Sequence, residues 1–218
     1  MSNRQLGREL LIAIKSVAGS PGPQLVIPVA TPPIAFLRPV ATRKEFLNPN
    51  DIHVLTIWRN RFVKAFLTEF QATEARTAKW LVEVVGPSDK KILFMVDDIY
   101  GRTFGYMGLD YIDWERGYGE ADAVVRGGDA PRGTMKVTLQ VLLKWARGHL
   151  GLCEIGVRVK LSNMIALEFY KKVGFQEFKR VPLRKVVESD MIRWVEDPSI
   201  EKADDYLVYM LWKHKEEG

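Results

Sequence analysis

The chain has 218 residues, 47% of them hydrophobic, which suits one domain, or one domain with a short appendage, that needs no disulfide or metal to fold. Its single cysteine, Cys153, excludes an internal disulfide, and three scattered histidines (His53, His149, His214) offer no zinc-ligand spacing. The net charge of +5 comes from 32 basic residues interspersed with 27 acidic ones, so a mixed surface or a polyanionic small ligand is expected rather than nucleic acid.

Residues 3–17 read as a helix, with Leu6, Leu10, Ile14 and Val17 at helical spacing. The next stretch carries Pro21, Pro23, Pro28, Pro32 and Pro33, which fix φ and remove donors, so an extended, irregular linker is expected. Residues 1–33 are therefore set apart as an appendage to a core domain over 34–218. Residues 34–38 read as a strand closed by Pro39. Asp51 can cap a helix carrying Ile52, Leu55, Phe62 and Phe66, and residues 73–85 read as a second helix with Trp80 and Leu81 on its buried side. Trp58 and Trp80 are read as core residues, and Asp97 and Asp98 as turn residues.

Residues 92–96 and 105–112 read as strands. Residues 118–126 alternate, which puts Glu120 and Asp122 on one face and Ala121 and Ala123 on the other. A glycine-rich turn follows, and then a helix from Thr134 whose positions Met135, Leu139, Leu142, Ala146 and Leu150 step by four, three, four and four. Cys153 reads as a small buried hydrophobe beside a strand over 154–159. A helix over 163–173 is capped by Ser162 or Asn163 and stopped by Gly174. Residues 175–183 and 206–212 are the last strands, and the charged stretch 184–205 between them is read as a loop or insertion. No stretch has the ~18 apolar residues of a membrane span, and residues 10–14 are too short for a secretory signal, so a cytoplasmic protein is expected.

The most informative local pattern is strand, glycine-rich turn, helix: Val124-Val125-Arg126-Gly127-Gly128-Asp129-Ala130-Pro131-Arg132-Gly133-Thr134-Met135. The first turn of a helix leaves backbone N–H groups unpaired, and with the helix dipole these attract an anion. Gly133 lets the backbone approach a diphosphate closely, and Arg132 and Lys136 add positive charge at the same end. Neither the P-loop Gly-Lys-Ser/Thr nor G-x-G-x-x-G occurs in this turn.

The second half of the chain resembles the GNAT superfamily of N-acetyltransferases. Residues 131–146 are similar to its pyrophosphate loop and following helix. Asn163-Met164-Ile165-Ala166-Leu167-Glu168-Phe169-Tyr170-Lys171-Lys172-Val173-Gly174-Phe175 matches the family pattern N-x-x-A-x-x-[FL]-Y-x-x-x-G-F at every fixed position. Trp58-Arg59-Asn60, with Thr73-Glu74 and Trp80, resembles the subgroup that includes ribosomal-protein and nucleotide-sugar acetyltransferases. The likeness spans about residues 34–183, with 206–212 as the last strand. Two positions depart from it: Ala130 stands where the family has Gln or Arg, and Met135 where it has Gly or Ala.

The resemblance implies a mixed α/β (α+β) fold, with a mostly antiparallel central sheet flanked by helices and splayed at the cofactor site. It implies acetyl-CoA as cofactor, with Val124 and Val125 on the pantetheine arm, Arg126, Arg132, Gly133, Thr134 and Met135 at the pyrophosphate, and Asn163, Ala166 and Tyr170 along the second helix. The implied reaction is direct attack of a primary amine on the thioester. Tyr170 matches the position that protonates the leaving thiolate, and Glu120 and Asp122 are the candidate bases. Arg59 and Asn60 are the candidate acceptor contacts. The implied acceptor is a small-molecule or peptide amine, with an amino sugar or a nucleotide-linked amino sugar suggested by the Trp58-Arg59-Asn60 likeness; the alternatives are a protein N-terminus, another small amine, or an acyl-CoA-binding module without catalysis. A homodimer is one assembly this reading admits; no metal, nucleic acid or membrane partner is expected.

Overall fold

A computed structural model describes residues 3–213, among which ten strands and five α-helices are found; His214 lies outside the described residues. The chain divides into two compact units: one takes the residues up to 56 and 73–155, the other 57–72 and those from 156 onward.

In the first unit, β1 (Ile27–Val29), β2 (Ala35–Pro39), β4 (Ile92–Asp98), β5 (Thr103–Asp113) and β6 (Tyr118–Arg126) pair in that order, each antiparallel to its neighbour. From Ile92 to Asp97 every residue of β4 is buried, because both of its faces are covered. On one face lies α4 (Thr134–Leu150), whose Leu139, Leu142, Ala146 and Leu150 are fully buried and whose Trp145 meets Phe94 edge-on at 5.8 Å. On the other face Arg38 reaches from β2 to Asp97 of β4 (2.7 Å) and to both carboxylate oxygens of Asp51 (2.9 and 3.0 Å). Asp51 belongs to α2 (Pro49–Arg61). It is therefore not the cap the sequence suggests: Asn48 Oδ1 accepts from the Asn50 N–H, with Pro49 opening the helix. The helix also ends at Arg61, so Phe62 and Phe66 fall in a following turn. Asp97, expected in a turn, is the buried partner of Arg38, whereas Asp98 does organise the β4–β5 turn through the Tyr100 and Arg102 amides.

The second helix after α2 divides in two. α3 (Glu74–Trp80) is capped by Thr73, whose hydroxyl accepts from the Arg76 N–H at 3.2 Å, and residues Leu81–Val85 widen into a π-type turn.

Residues 3–29 are not an appendage. Within α1 (Asn3–Val17), Leu11 and Ile14 are buried, and Gly7 lies so close to α4 that an added Cβ would sit 2.4 Å from the Leu150 carbonyl oxygen. Lys15 of α1 is buried as well, and its ammonium donates to the carbonyls of Val85 (2.5 Å), Ser88 (2.5 Å) and Lys91 (3.0 Å). Proline does not prevent β1 from pairing with β2, because β1 is an edge strand where Pro28 costs little.

In the second unit, β7 (Glu154–Lys160), β10 (Asp205–Trp212), β8 (Phe175–Val187), β9 (Met191–Glu196) and β3 (Thr68–Phe70) pair antiparallel in that order. The stretch 184–205 is thus not a loop throughout: β8 runs on to Val187, turns at Glu188, and returns as β9. Its charged residues sit on a two-sided, half-wet hairpin, so the alternation reads as polar loop. α5 (Met164–Val173) packs on β8. No helix among the described residues is long and apolar enough to cross a membrane.

Lys15 provides a test of the N-terminal helix. Burial lowers its pKa from 10.5 to about 8, with Asp89 pulling it up and Lys91 pushing it down. Between those values the unfolded chain binds more protons than the folded one, so the Lys15 contribution to stability rises from about pH 8 to 10.5. Lys15→Met should abolish that rise and, by leaving buried carbonyls unpaired, cost about 2–4 kcal/mol at neutral pH, measured by urea unfolding across pH.

Candidate active site

β6 holds register with β5 at Asp122↔Gly108 and again at Tyr106↔Val125, so Ala123 and Val124 both stand opposite Met107. Ala123 takes φ 52°, the left-handed conformation that lets a strand bulge. The bulge takes Ala123 and Val124 out of the β5 ladder, while Val125 stays in it.

Just before the bulge stand the two candidate bases, and their surroundings differ. Glu120 is buried, and its carboxylate accepts from the Tyr118 hydroxyl at 2.8 Å. Asp122 keeps 43% of its side-chain surface open. Crowding by protein nevertheless holds its carboxyl above the ordinary aspartate range; Lys91 opposes this, Asp110 reinforces it, and the Ala123 N–H opposes it. Lys91 Nζ is 2.6 Å from Asp110 and 3.6 Å from Asp122. Sequence reasoning missed Lys91 and Asp110, because nothing in the spacing of three separate segments shows that they converge.

The loop after β6 spends its first amides internally: the Gly127 and Gly128 N–H groups both donate to the Phe104 carbonyl, at 3.0 and 2.9 Å. Arg126 braces the same loop through the Gly128 and Ala130 carbonyls, at 3.3 Å each. At the end of the loop Gly133 takes φ 90° with open space on its Cβ side, a position only glycine fills without strain. The first internal bond of α4 runs from the Val137 N–H to Gly133 O, so the Met135 and Lys136 amides precede the helical ladder and face outward from its end. The Thr134 amide is already used on Pro131 O. The Met135 side chain is buried, and a Cβ on Gly105 would lie 3.1 Å from its sulfur. Its bulk is therefore turned into the core and leaves the helix end clear. Arg132 and Lys136 are exposed there.

In the second unit, Asn163 caps α5, its Oδ1 accepting from the Ala166 N–H at 3.2 Å, which decides between the two cap residues. Ser162 instead bonds Asp205 through both its N–H (3.0 Å) and its hydroxyl (2.5 Å). Tyr170 is buried with its ring edge-on to Phe169 and Phe175, each at 5.5 Å.

A family model decides the kinship of the chain: an acetyltransferase (GNAT) domain matches residues 45–188. The chain belongs to the GNAT acetyltransferases. Solved GNAT structures share the fold at low identity. A probable GNAT-family acetyltransferase from Chromobacterium violaceum is 16% identical with a TM-score of 0.63, covering 89% of each chain. A GCN5-related N-acetyltransferase from Brucella melitensis is 15% identical with a TM-score of 0.64, covering 87% of this chain and 79% of its own. Spermidine N-acetyltransferase from Vibrio cholerae, solved with CoA and spermine, is 16% identical with a TM-score of 0.58, covering 81% of this chain and 95% of its own. No curated protein matches the chain by sequence. The mixed, mostly antiparallel architecture read from the GNAT resemblance is the one observed.

The two residues that the GNAT subgroup likeness offers as acceptor contacts both bond backbone groups of their own segment. Asn60 donates to the Ala72 carbonyl (3.0 Å) and accepts from the Ala72 N–H (2.8 Å), closing the segment 57–72 on itself. Arg59 donates to Thr68 O (2.5 Å) and stacks on Phe66 and Phe70, at 3.7 and 4.8 Å from the ring centroids. Trp58 is buried, as its core reading expects; Cys153 is exposed, contrary to its reading, because the Gly151–Cys153 turn carries it out of the strand. The second unit also holds a cavity of about 320 Å³. Thr68, Arg158, Arg193 and Glu196 supply its polar lining, and Trp194, Leu67 and Leu207 its apolar wall. Tyr209 donates to Glu196 at 2.6 Å, and burial together with that carboxylate pushes the phenol up to about 12.

Asn60→Ala should lower stability by about 1–3 kcal/mol and speed proteolytic nicking within 57–72. A rise in acceptor KM without any stability loss would instead make Asn60 a substrate contact.

Proposed function

We propose that this GNAT protein transfers an acetyl group from acetyl-CoA to a primary amine by direct attack, with Asp122 as the base and Tyr170 as the acid. The observation that carries the reading is the α4 terminus: Gly133 in a left-handed conformation, outward amides at Met135 and Lys136, and two exposed cations, which together suit a diphosphate. Arg132, Gly133, Thr134 and Met135 hold the pyrophosphate in this reading, with the hydroxyl and amide of Thr134 already tied to Pro131 so that its part is to shape the loop. Arg126 acts by bracing the loop. Val124 and Val125 take the pantetheine arm, with Val124 the freer of the two. Asn163 contributes its NH2, since its oxygen caps the helix, and Ala166 its place on the same first turn.

Bound acetyl-CoA would supply the thioester carbon that is attacked and the thiolate that leaves. Asp122 accepts the proton released from the acceptor nitrogen, directly or through one water. Its raised proton affinity makes it a stronger base than an ordinary aspartate, and its accessible side chain distinguishes it from the buried, Tyr118-bound Glu120. Tyr170 gives its hydroxyl proton to the departing sulfur and regains one from solvent. For the acceptor we favour a hydroxyl-bearing amine of monosaccharide size, such as an amino sugar: the second-unit cavity pairs the Trp194 ring with the polar side chains of Thr68, Arg158, Arg193 and Glu196, residue types that suit a sugar.

Asp122→Asn should lower kcat about 10²–10⁴-fold with little change in CoA affinity, and Tyr170→Phe should do the same less steeply. The wild-type rate should fall on the acid side, through a pKa above the ordinary aspartate value, because Asp122 works only when deprotonated. Thiol release measured over amino sugars, polyamines and peptide N-termini identifies the acceptor. Turnover of polyamines or peptides alone removes the amino-sugar reading, and tight CoA binding with no turnover leaves an acyl-CoA-binding module. Gly133→Val should weaken CoA binding about tenfold or more by calorimetry, since it blocks the approach to the amides.

A further inference from the structure

Lys91 stands just ahead of β4, and its ammonium reaches carboxylates on two other strands: Asp110 Oδ2 of β5 at 2.6 Å and Asp122 Oδ2 of β6 at 3.6 Å. Lys91 and Asp110 are each only 17% exposed, and the Trp80 ring centroid lies 5.7 Å from Nζ, so little water shares the ammonium. A single positive charge cannot satisfy two carboxylates equally, and it sits with the nearer one. We infer that Lys91 and Asp110 are positioning residues for acetyl transfer. Lys91 holds the Asp122 carboxylate in place, and Asp110, by drawing the ammonium to itself, keeps Asp122 basic enough to take the proton of the acceptor amine.

This inference rests on Asp122 as the base. It deepens that reading by naming what sets the strength of the base. Burial pulls the Lys91 ammonium down, but Asp122 and Asp110 outweigh it and hold it above the ordinary lysine value, so it stays charged through the working range. The other titratable groups around the cluster are Glu120, opposite Asp110 in the β5–β6 ladder and bonded to Tyr118, and Tyr111, which adds to the field on Lys91. Behind Lys91 lie Lys15, bonded to its carbonyl, and Asp89, which acts on Lys15. Glu120 is present in every variant compared, so its field cancels.

The test is the Asp122 titration, read in the ligand-free protein by carbon NMR of the side-chain carboxyl and, separately, from the acid limb of kcat/KM. Asp110→Asn leaves the ammonium to Asp122 alone and should move its titration to lower pH by about one unit. Lys91→Met removes the ammonium and should move it to higher pH by a similar amount, and Lys91→Arg should return it toward the wild-type position. Opposite displacements in the first two variants establish the inference. No displacement, or displacement in the same direction, overturns it. Asp110→Asn is nearly isosteric and decides the sign by itself should Lys91→Met fail to fold. Loss of the base assignment has a different signature: Asp122→Asn would keep its activity and its acid limb, whatever the NMR titrations of the other variants show.

Discussion

β6 cannot stay in register with β5 beyond Asp122, and the placing of the candidate base and of the turn before α4 depends on that break. Ala123 accepts a left-handed φ of 52°, which costs an L-residue roughly 1–2 kcal/mol, and the packing on either side of the bulge offsets that cost. Residues before the bulge keep their alternation, so Asp122 shares a face with Glu120 and meets Lys91. Residues after it regain the ladder at Val125, whose carbonyl oxygen would lie 2.6 Å from a Cβ on Gly105. That close approach makes Gly105 small, and the space it leaves is filled by Met135 from α4. One backbone irregularity thus ties the candidate base, the bulged Ala123–Val124 backbone and the start of α4 into one piece of architecture.

Buried charge in this unit is organised rather than avoided. Arg38 clamps Asp51 and Asp97 across β2, α2 and β4, and Thr103 donates its hydroxyl to the same Asp97 at 2.6 Å. Lys15 is held by three carbonyls. Each of these charges is held by several hydrogen bonds, the condition under which burial of a charge is tolerated. The Lys91 cluster differs: it holds two carboxylates against one ammonium, and the surplus negative charge falls on Asp122. Unequal satisfaction of this kind is a common physical basis of a group whose proton affinity departs from its ordinary value at a working site. In the second unit Lys160 is the counterpart of the structural kind, with Glu69 at 3.6 Å, Asp205 at 3.7 Å and the Trp194 ring at 4.0 Å. Asp205 in turn holds Ser162, which fixes the approach to the Asn163 cap and hence the start of α5.

Long apolar periodicities are legible from the residues alone. The helix over 134–150 and its buried positions, the strand over 118–126, and the Asn163 to Gly174 segment with its cap and stop all obey local rules that do not depend on distant contacts. The family is legible for the same reason: its second motif is a contiguous run whose fixed positions are a cap, a packed tyrosine and a left-handed stop. Where reading fails, the deciding interaction is distant. Residues 1–33 look separate because their prolines suggest a linker, whereas packing of Gly7 against Leu150 draws α1 onto α4. The 184–205 stretch looks like loop because its strands are polar on both faces. Arg59 and Asn60 bond backbone groups of their own segment, and a likeness in sequence carries no information about which backbone groups a side chain will satisfy.

The sequence by itself determined the family, the element order of the second half and the left-handed glycine that opens α4, because each is a property of a short, continuous run of residues and of the φ values those residues allow. Only the tertiary structure gave Glu120 and Asp122 their different surroundings, turned the Met135 bulk inward and brought Lys91 to Asp110. These depend on a bulge in register between strands and on side chains converging from separate parts of the chain, which no local pattern encodes.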